Sequence, residues 1–303
     1  MCFSLQVVGR LGPIFQGVTA RLLDAGAIVV APSLDKTALD ELQDNLCNPA
    51  GLLTVQGTLA HKDGAKHLTD IVKYEVGKLH GVVAHGGLDG VYHNENTSIV
   101  GRNFLKTPTK DILDELTHLV GTHHHAACIL MPLLNQLAEA TPALPSFTLL
   151  TGGLPCVVPD SSDQQTGAEG PVLTSMYGFG LALRRAAWNS KVRVNEIRLG
   201  MHVNRCDSER MADPRVRPLS LDLGTLCSYI AESPVDRDRR IRINNNADLD
   251  QVLVSYDAFP NHFFKIDPPA RQDPGRFPKG HPGKSNHRWL FHPQPVGWTK
   301  QNK

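Results

Sequence analysis

The sequence predicts an α/β protein built on a doubly wound parallel sheet of the Rossmann type, and three observations carry that expectation. Short runs rich in Val, Ile and Leu alternate with helix-length segments as far as residue 256. The runs are almost continuously apolar, as strands covered on both faces must be. The first run also passes through a glycine-containing turn, Gly9-Arg-Leu-Gly12, directly into a helical pattern.

The elements follow in order. Leu5–Val8 reads as a strand, and the helix after it carries Val18, Leu22 and Leu23. Ala27–Ala31 is the second strand, followed by a helix with Leu34, Leu39, Leu42 and Leu46. Leu52–Val55 precedes a helix over about 64–79, and Gly81–Ala84 precedes a loop and a long helix over about 109–138. Phe147–Leu150 and Val192–Ile197 are the fifth and sixth strands, with a tyrosine-bearing helix over about 176–189 between them. Arg240–Ile243 is the seventh strand. Residues 154–174 hold Pro155, Pro159, Gly167, Gly170 and Pro171 and read as a surface loop. Right-handed crossovers between such strands give one doubly wound sheet.

Composition narrows the function classes. The chain has 303 residues, 31 Lys plus Arg against 30 Asp plus Glu, 41% apolar and 20% charged residues. That is an ordinary globular balance, with no whole-chain basic excess for nucleic acid or a membrane surface. The six cysteines show neither CxxC pairs nor finger spacing, so no metal site is expected and a reduced, intracellular setting is. No secretory signal or spanning segment is read.

Composition shifts near residue 257. Residues 257–303 hold eight prolines and eight Lys/Arg against three Asp/Glu, a balance of +5, which leaves 1–256 at −4. They also hold seven of the 18 aromatic residues, among them Phe259, Phe264, Trp289 and Trp298. We therefore expect a Rossmann domain over 1–256 and an irregular, proline- and aromatic-rich basic tail over 257–303. Prolines exclude a long helix there, and the aromatics suit either anchors on another protein surface or an arm folded back over its own domain. The small charge excess argues against nucleic acid.

Over about residues 4–245 the order of landmarks resembles the short-chain dehydrogenase/reductase family. VVGRLGPIFQGVTARLLDAGAIVV resembles its first βαβ unit, and VVAHGG at 82–87 resembles its NNAG strand end. FTLLTGG at 147–153 resembles the strand that carries the catalytic serine. MYGFGLALRRAAWNSKVRVNEIRLG at 176–200 resembles the YxxxK helix and the strand after it. The resemblance implies a dinucleotide cleft bordered by Gly9, Gly12, Ile14, Ala84 and Gly86. It also implies a subunit that pairs through its two long helices.

Each motif departs from the family pattern. The second and third glycines of GxxxGxG fall on Pro13 and Phe15; glycine serves there because amides must approach a pyrophosphate closely. Gly12 and Gly17 stand nearby as a possible shifted loop. The second strand ends Val30-Ala31-Pro32-Ser33, without an acid for a ribose hydroxyl, and Lys36 and Arg10 are the nearest cations. Gln56-Gly57-Thr58 stands where an adenine-contacting Asp is common. Of the catalytic set, Tyr177 matches the tyrosine, Leu181 replaces the lysine, Thr151-Gly152 covers the serine position and Gly121-Thr122 the helix asparagine. A phenol unassisted by a cation titrates near ~10. The candidate catalytic residues are therefore Tyr177, Thr151 and His85, the last for its neutral-range pKa at a strand end. Asp160 and Asp163 are its candidate orienters.

His123-His124-His125 occupy consecutive helical positions about 100° apart, so all three cannot face one metal. Arg184, Arg185 and Trp188 read as a basic face toward solvent or a partner. Three functions fit this pattern. The simultaneous loss of glycine loop, lysine, serine and ribose acid favours a non-redox binding or scaffold subunit, with no cofactor or a weakly bound NAD(P). The alternatives are a divergent NAD(P)H-dependent oxidoreductase with Tyr177 as general acid, and a non-redox enzyme that reuses the cleft. Expected partners are a second copy, or a larger assembly reached through the tail.

Overall fold

A computed structural model describes residues 4–9, 11–57, 59, 62–86, 99, 102–140, 144–152, 167–200, 203 and 219–258. Arg10, Thr58, Asp160, Asp163 and the tail beyond residue 258 lie outside the described residues. Among the described residues seven strands form one parallel sheet: β1 Ser4–Val8, β2 Ile28–Ser33, β3 Leu52–Gln56, β4 Gly81–Gly86, β5 Ser146–Gly152, β6 Arg193–Leu199 and β7 Arg240–Ile243. Their spatial order is β3-β2-β1-β4-β5-β6-β7. The order reverses between β1 and β4, so the crevice at their carboxyl ends is the topological switch point.

The helices divide between the two faces. On one face lie α1 (Pro13–Asp24), α2 (Lys36–Asn45), α6 (Leu219–Glu232) and α7 (Asn246–Ala258), around a core of Phe15, Leu22, Val29, Leu150, Ile197 and Leu226. On the other lie α3 (Lys62–Ile71), α4 (Thr109–Ala140) and α5 (Glu169–Ala186), around Val30, Val82, Phe147, Leu130, Leu173 and Met176. Successive strand residues alternate between these cores: Val82 and Ala84 face the second, Val83 the first. Each large apolar side chain enclosed this way contributes about 1.5–3 kcal/mol. A single π turn, Val72–Val76, ends the α3 segment.

Local chemistry explains the element ends. Asp35 caps α2, its carboxylate accepting from the Ala38 N–H at 3.2 Å. Asn245 does the same for α7 through the Asp248 N–H at 2.9 Å. Arg193 at the foot of β6 donates to the carbonyls of Ile230 and Ala231, both at 2.8 Å, and so satisfies the C-terminal end of α6. Pro32 lies past the last β1–β2 pair, Gln6 with Val30, and so does not interrupt that pairing.

Two expectations need correction. Residues 169–174 are helical, not loop, and Tyr177 sits in the third turn of α5 rather than at its start. Pro171 is compatible because it falls in the first turn, where a helix uses no backbone N–H. Arg184 does not face solvent: it is buried among acidic partners, while Arg185 and Trp188 are exposed.

Candidate functional site

The phosphate turn is assembled from the end of β1 and the start of α1. Gly9 has φ +140°, and a Cβ there would stand 2.8 Å from the His85 carbonyl oxygen, so the turn needs glycine. Gly12 is the N-cap of α1 with extended backbone, and Pro13 occupies the first helical position. Of the first-turn amides, Pro13 supplies none, which leaves those of Ile14 and Phe15. The Phe15 ring does not obstruct that crevice. It is fully buried in the core beneath α1, 0% exposed, with Ile14 beside it at 1%.

Gly17 has a different task from phosphate binding. A Cβ there would lie 2.4 Å from the Ser220 backbone, and one on Gly224 would lie 2.4 Å from the Gly17 carbonyl. The pair lets α1 and α6 cross in close contact. At the end of β2 the Ser33 hydroxyl accepts from the Asp35 N–H at 3.1 Å. Gln56 donates to the Leu34 carbonyl at 3.3 Å. Lys36 is paired with Asp40 at 2.7 Å.

At the other side of the sheet, Gly86, Thr151 and Arg198 stand in register across the carboxyl ends of β4, β5 and β6. Thr151 is buried, and its hydroxyl donates to the Ile197 carbonyl at 3.5 Å. Gly152 next to it has φ +92°, and a Cβ there would stand 2.1 Å from the Leu199 carbonyl oxygen. Arg198 lays its guanidinium over the Tyr177 ring, 4.4 Å from the centroid, a cation–π contact. Leu181, one turn beyond Tyr177, is 50% exposed.

Arg198 is held by Glu196 through two contacts, Nε to Oε1 at 2.7 Å and Nη2 to Oε2 at 3.3 Å. Glu196 is buried in the middle of β6, and Arg184 and Arg240 approach it at 3.6 and 3.5 Å. Gly180 of α5 makes room for this carboxylate, since a Cβ there would lie 3.1 Å from its carboxyl carbon. Burial lowers the Arg240 pKa, with the neighbouring Arg184 and Arg198 charges acting in the same direction.

The fold has counterparts among solved structures. The NADP complex of RhlG from Pseudomonas aeruginosa matches with a TM-score of 0.63 at 18% identity, over 81% of this chain and 96% of that one. A short-chain oxidoreductase from the same organism, described as having an atypical catalytic center, matches with a TM-score of 0.63 at 14% identity, over 80% and 96%. A putative short chain dehydrogenase from Pseudomonas syringae matches at 0.58 and 20% identity, over 79% and 94%. The chain has the short-chain dehydrogenase/reductase fold. No family model and no curated protein matches the sequence.

Within this short-chain dehydrogenase/reductase fold the candidate residues divide by face. Thr151 lies on β5 beside its β6 register partner Arg198, whose guanidinium covers Tyr177 of α5. His85 is buried, and strand alternation turns it to the α1 side, where its Cβ lies 3.1 Å from a Cβ placed on Gly9. Ala84 is fully buried between the sheet neighbours Val8 and Leu149. At the level where the fold's helix asparagine is expected, Gly121 opens outward with nothing within 4 Å of a Cβ, and His123 points inward. The His123 Nδ1 lies 2.7 Å from the Leu119 carbonyl oxygen, and its ring meets the His85 backbone and the edge of Phe179. Burial pulls its pKa down to about 4.

Sequence reasoning missed Glu196, Arg198 and the single inward histidine. The signals existed: residues 194, 196 and 198 share one strand face, and His123 lies four residues from Leu119 and seven from Leu130 on one helical stripe. Among the described residues no three His, Cys, Asp or Glu side chains converge on one point, and no helix is long and apolar enough to cross a membrane.

Proposed function

We propose that this chain uses the dehydrogenase fold as a binding or scaffold subunit without standard hydride-transfer chemistry. The observation that carries the reading is the α1 terminus: Pro13 at the first helical position removes an amide from the turn that would cradle a pyrophosphate. The side chains around the ribose end serve the fold as well, Asp35 as a cap and Lys36 in an ion pair. Titration of the purified chain with NADH and NADPH by calorimetry is expected to give weak binding or none. Micromolar affinity for either would overturn the proposal, and a gain in affinity in Pro13→Gly would show that the missing amide of the turn is responsible for the weak binding.

One observation favours the oxidoreductase alternative. Arg198 places a permanent cation over the Tyr177 ring, where the family's lysine is replaced by Leu181. The NADP complex of RhlG shares the fold. A screen of ketones, quinones and secondary alcohols decides between the two. Turnover abolished by Tyr177→Phe and by Arg198→Gln would establish the oxidoreductase; no turnover with any cofactor supports the binding subunit.

A further inference from the structure

The π turn Val72–Val76 closes where the Gly77 N–H donates to the Val72 carbonyl at 3.0 Å. Gly77 takes φ +77°, which ends the helix and turns the chain toward β4. Such turns are rare and concentrate at functional sites. The segment after it is fixed to the foot of β1. The Ser4 hydroxyl donates to the Lys78 carbonyl, and the His80 N–H donates to the Ser4 carbonyl at 2.8 Å.

Between this turn and the last two turns of α4 lies a cleft of about 280 Å³. At ~30 Å³ per water molecule it has room for about nine waters, or for one small organic molecule. Val72, Leu79 and Leu137 line it and are buried, with Leu133 half-buried beside them, so its floor is aliphatic. Lys73, Lys78 and Gln136 also line it but are exposed, so they stand at its open side. None of the described residues that line it is acidic. An apolar floor with a few polar groups is the usual make-up of a small-molecule site. Two ammonium groups and an amide select an anion, and a carboxylate has the lone pairs to accept from all three. The floor selects a hydrocarbon body. Leu79 comes just before β4, so the cleft lies at the amino ends of the strands, opposite the crevice between β1 and β4.

We propose that this cleft binds a free, medium-length aliphatic monocarboxylate, with its chain along the aliphatic floor and its carboxylate between Lys73 and Lys78. An ester of the same chain lacks the anion and is not a ligand. Binding is reversible and forms no covalent bond. The inference stands whether or not a dinucleotide binds at the other end of the sheet.

The experiment titrates the full chain at neutral pH with octanoate, octanol, methyl octanoate and octyltrimethylammonium by calorimetry, and maps octanoate by amide NMR shifts. The expected result is one octanoate per chain with a Kd on the order of 10⁻⁴ M. The uncharged alcohol and ester should bind at least about tenfold more weakly, and the cation not at all. The amide shifts should gather at residues 72–79 and 133–140. Lys73→Ala combined with Lys78→Ala should weaken octanoate about tenfold. Ala140→Trp, at an exposed lining position, should block the cleft, whereas Lys110→Ala, exposed at the start of α4, should leave affinity unchanged. Circular dichroism verifies that the variants remain folded, as expected for exposed positions. No octanoate binding, equal binding of octanol or the ester, affinity unchanged in the double lysine variant, or shifts centred on the turn between β1 and α1 would each overturn the proposal.

Discussion

His123 is enclosed between α4, the end of β4 and Phe179, and its pKa of about 4 follows chiefly from burial, with nearby His85 and His118 also lowering it. An unfolded chain protonates this histidine near its ordinary value of 6.5. Between those two values the unfolded state holds the extra proton, so stability falls as pH drops from 6.5 toward 4 and the contribution is exhausted below that. The native state should lose up to about 3 kcal/mol across this window. His123→Gln should flatten that part of the pH–stability curve in urea titrations, and an unchanged slope would show that the burial is not felt. Glu196 makes a second residue-scale test. It faces Arg184, Arg198 and Arg240 from a fully buried position, so Glu196→Gln should cost about 3–5 kcal/mol by leaving buried cations unbalanced. The same variant should loosen Arg198 from Tyr177, which tyrosine fluorescence can follow. Neither residue was legible as special beforehand, because a run of three histidines does not announce its helical phase and strand charges read as solvated until both faces of the sheet are known to be covered.

At the scale of elements the tightest joint is the crossing of α1 and α6 at Gly17 and Gly224. A single methyl at Gly17 would meet the Ser220 backbone at 2.4 Å, which no side-chain rotation relieves. Gly17→Ala should therefore destabilise by about 1–3 kcal/mol, read as a lower Tm, in spite of alanine's better helix propensity. A gain in Tm would mean that the two helices slide apart without cost. This joint was hidden in the sequence, where Gly17 resembles a piece of a phosphate loop. Its partner helix at 219–232 was not expected at all, although Leu223, Leu226, Cys227 and Ile230 follow a helical stripe. The strands were far more legible. All seven lie within two residues of their expected ends because unbroken Val/Ile/Leu runs have one way to be buried in a parallel sheet. The start of α5 was misplaced because proline punctuates a loop and opens a helix with equal ease.

For the whole molecule, the division between the acidic body and the basic tail bears on where the fold ends. Helix α7 is part of the body: Tyr256 stacks on Tyr229 with ring centroids 5.7 Å apart and donates to the buried Asp236 at 2.9 Å. Asp257 accepts the Tyr229 hydroxyl, which pushes that phenol up to about 12. A cut after Tyr256 would remove this acceptor and lower stability for a reason unrelated to the tail. The cut belongs after Ala258. With α7 intact, a chain of residues 1–258 should keep the Tm of the full protein, if the aromatic and basic residues of 259–303 serve as anchors on a partner. Removing that segment also takes away eight Lys/Arg and only two Asp/Glu, so the shortened chain should lose any salt-sensitive association the full protein shows. A large fall in Tm with no change in association would instead make 259–303 an integral layer of the body.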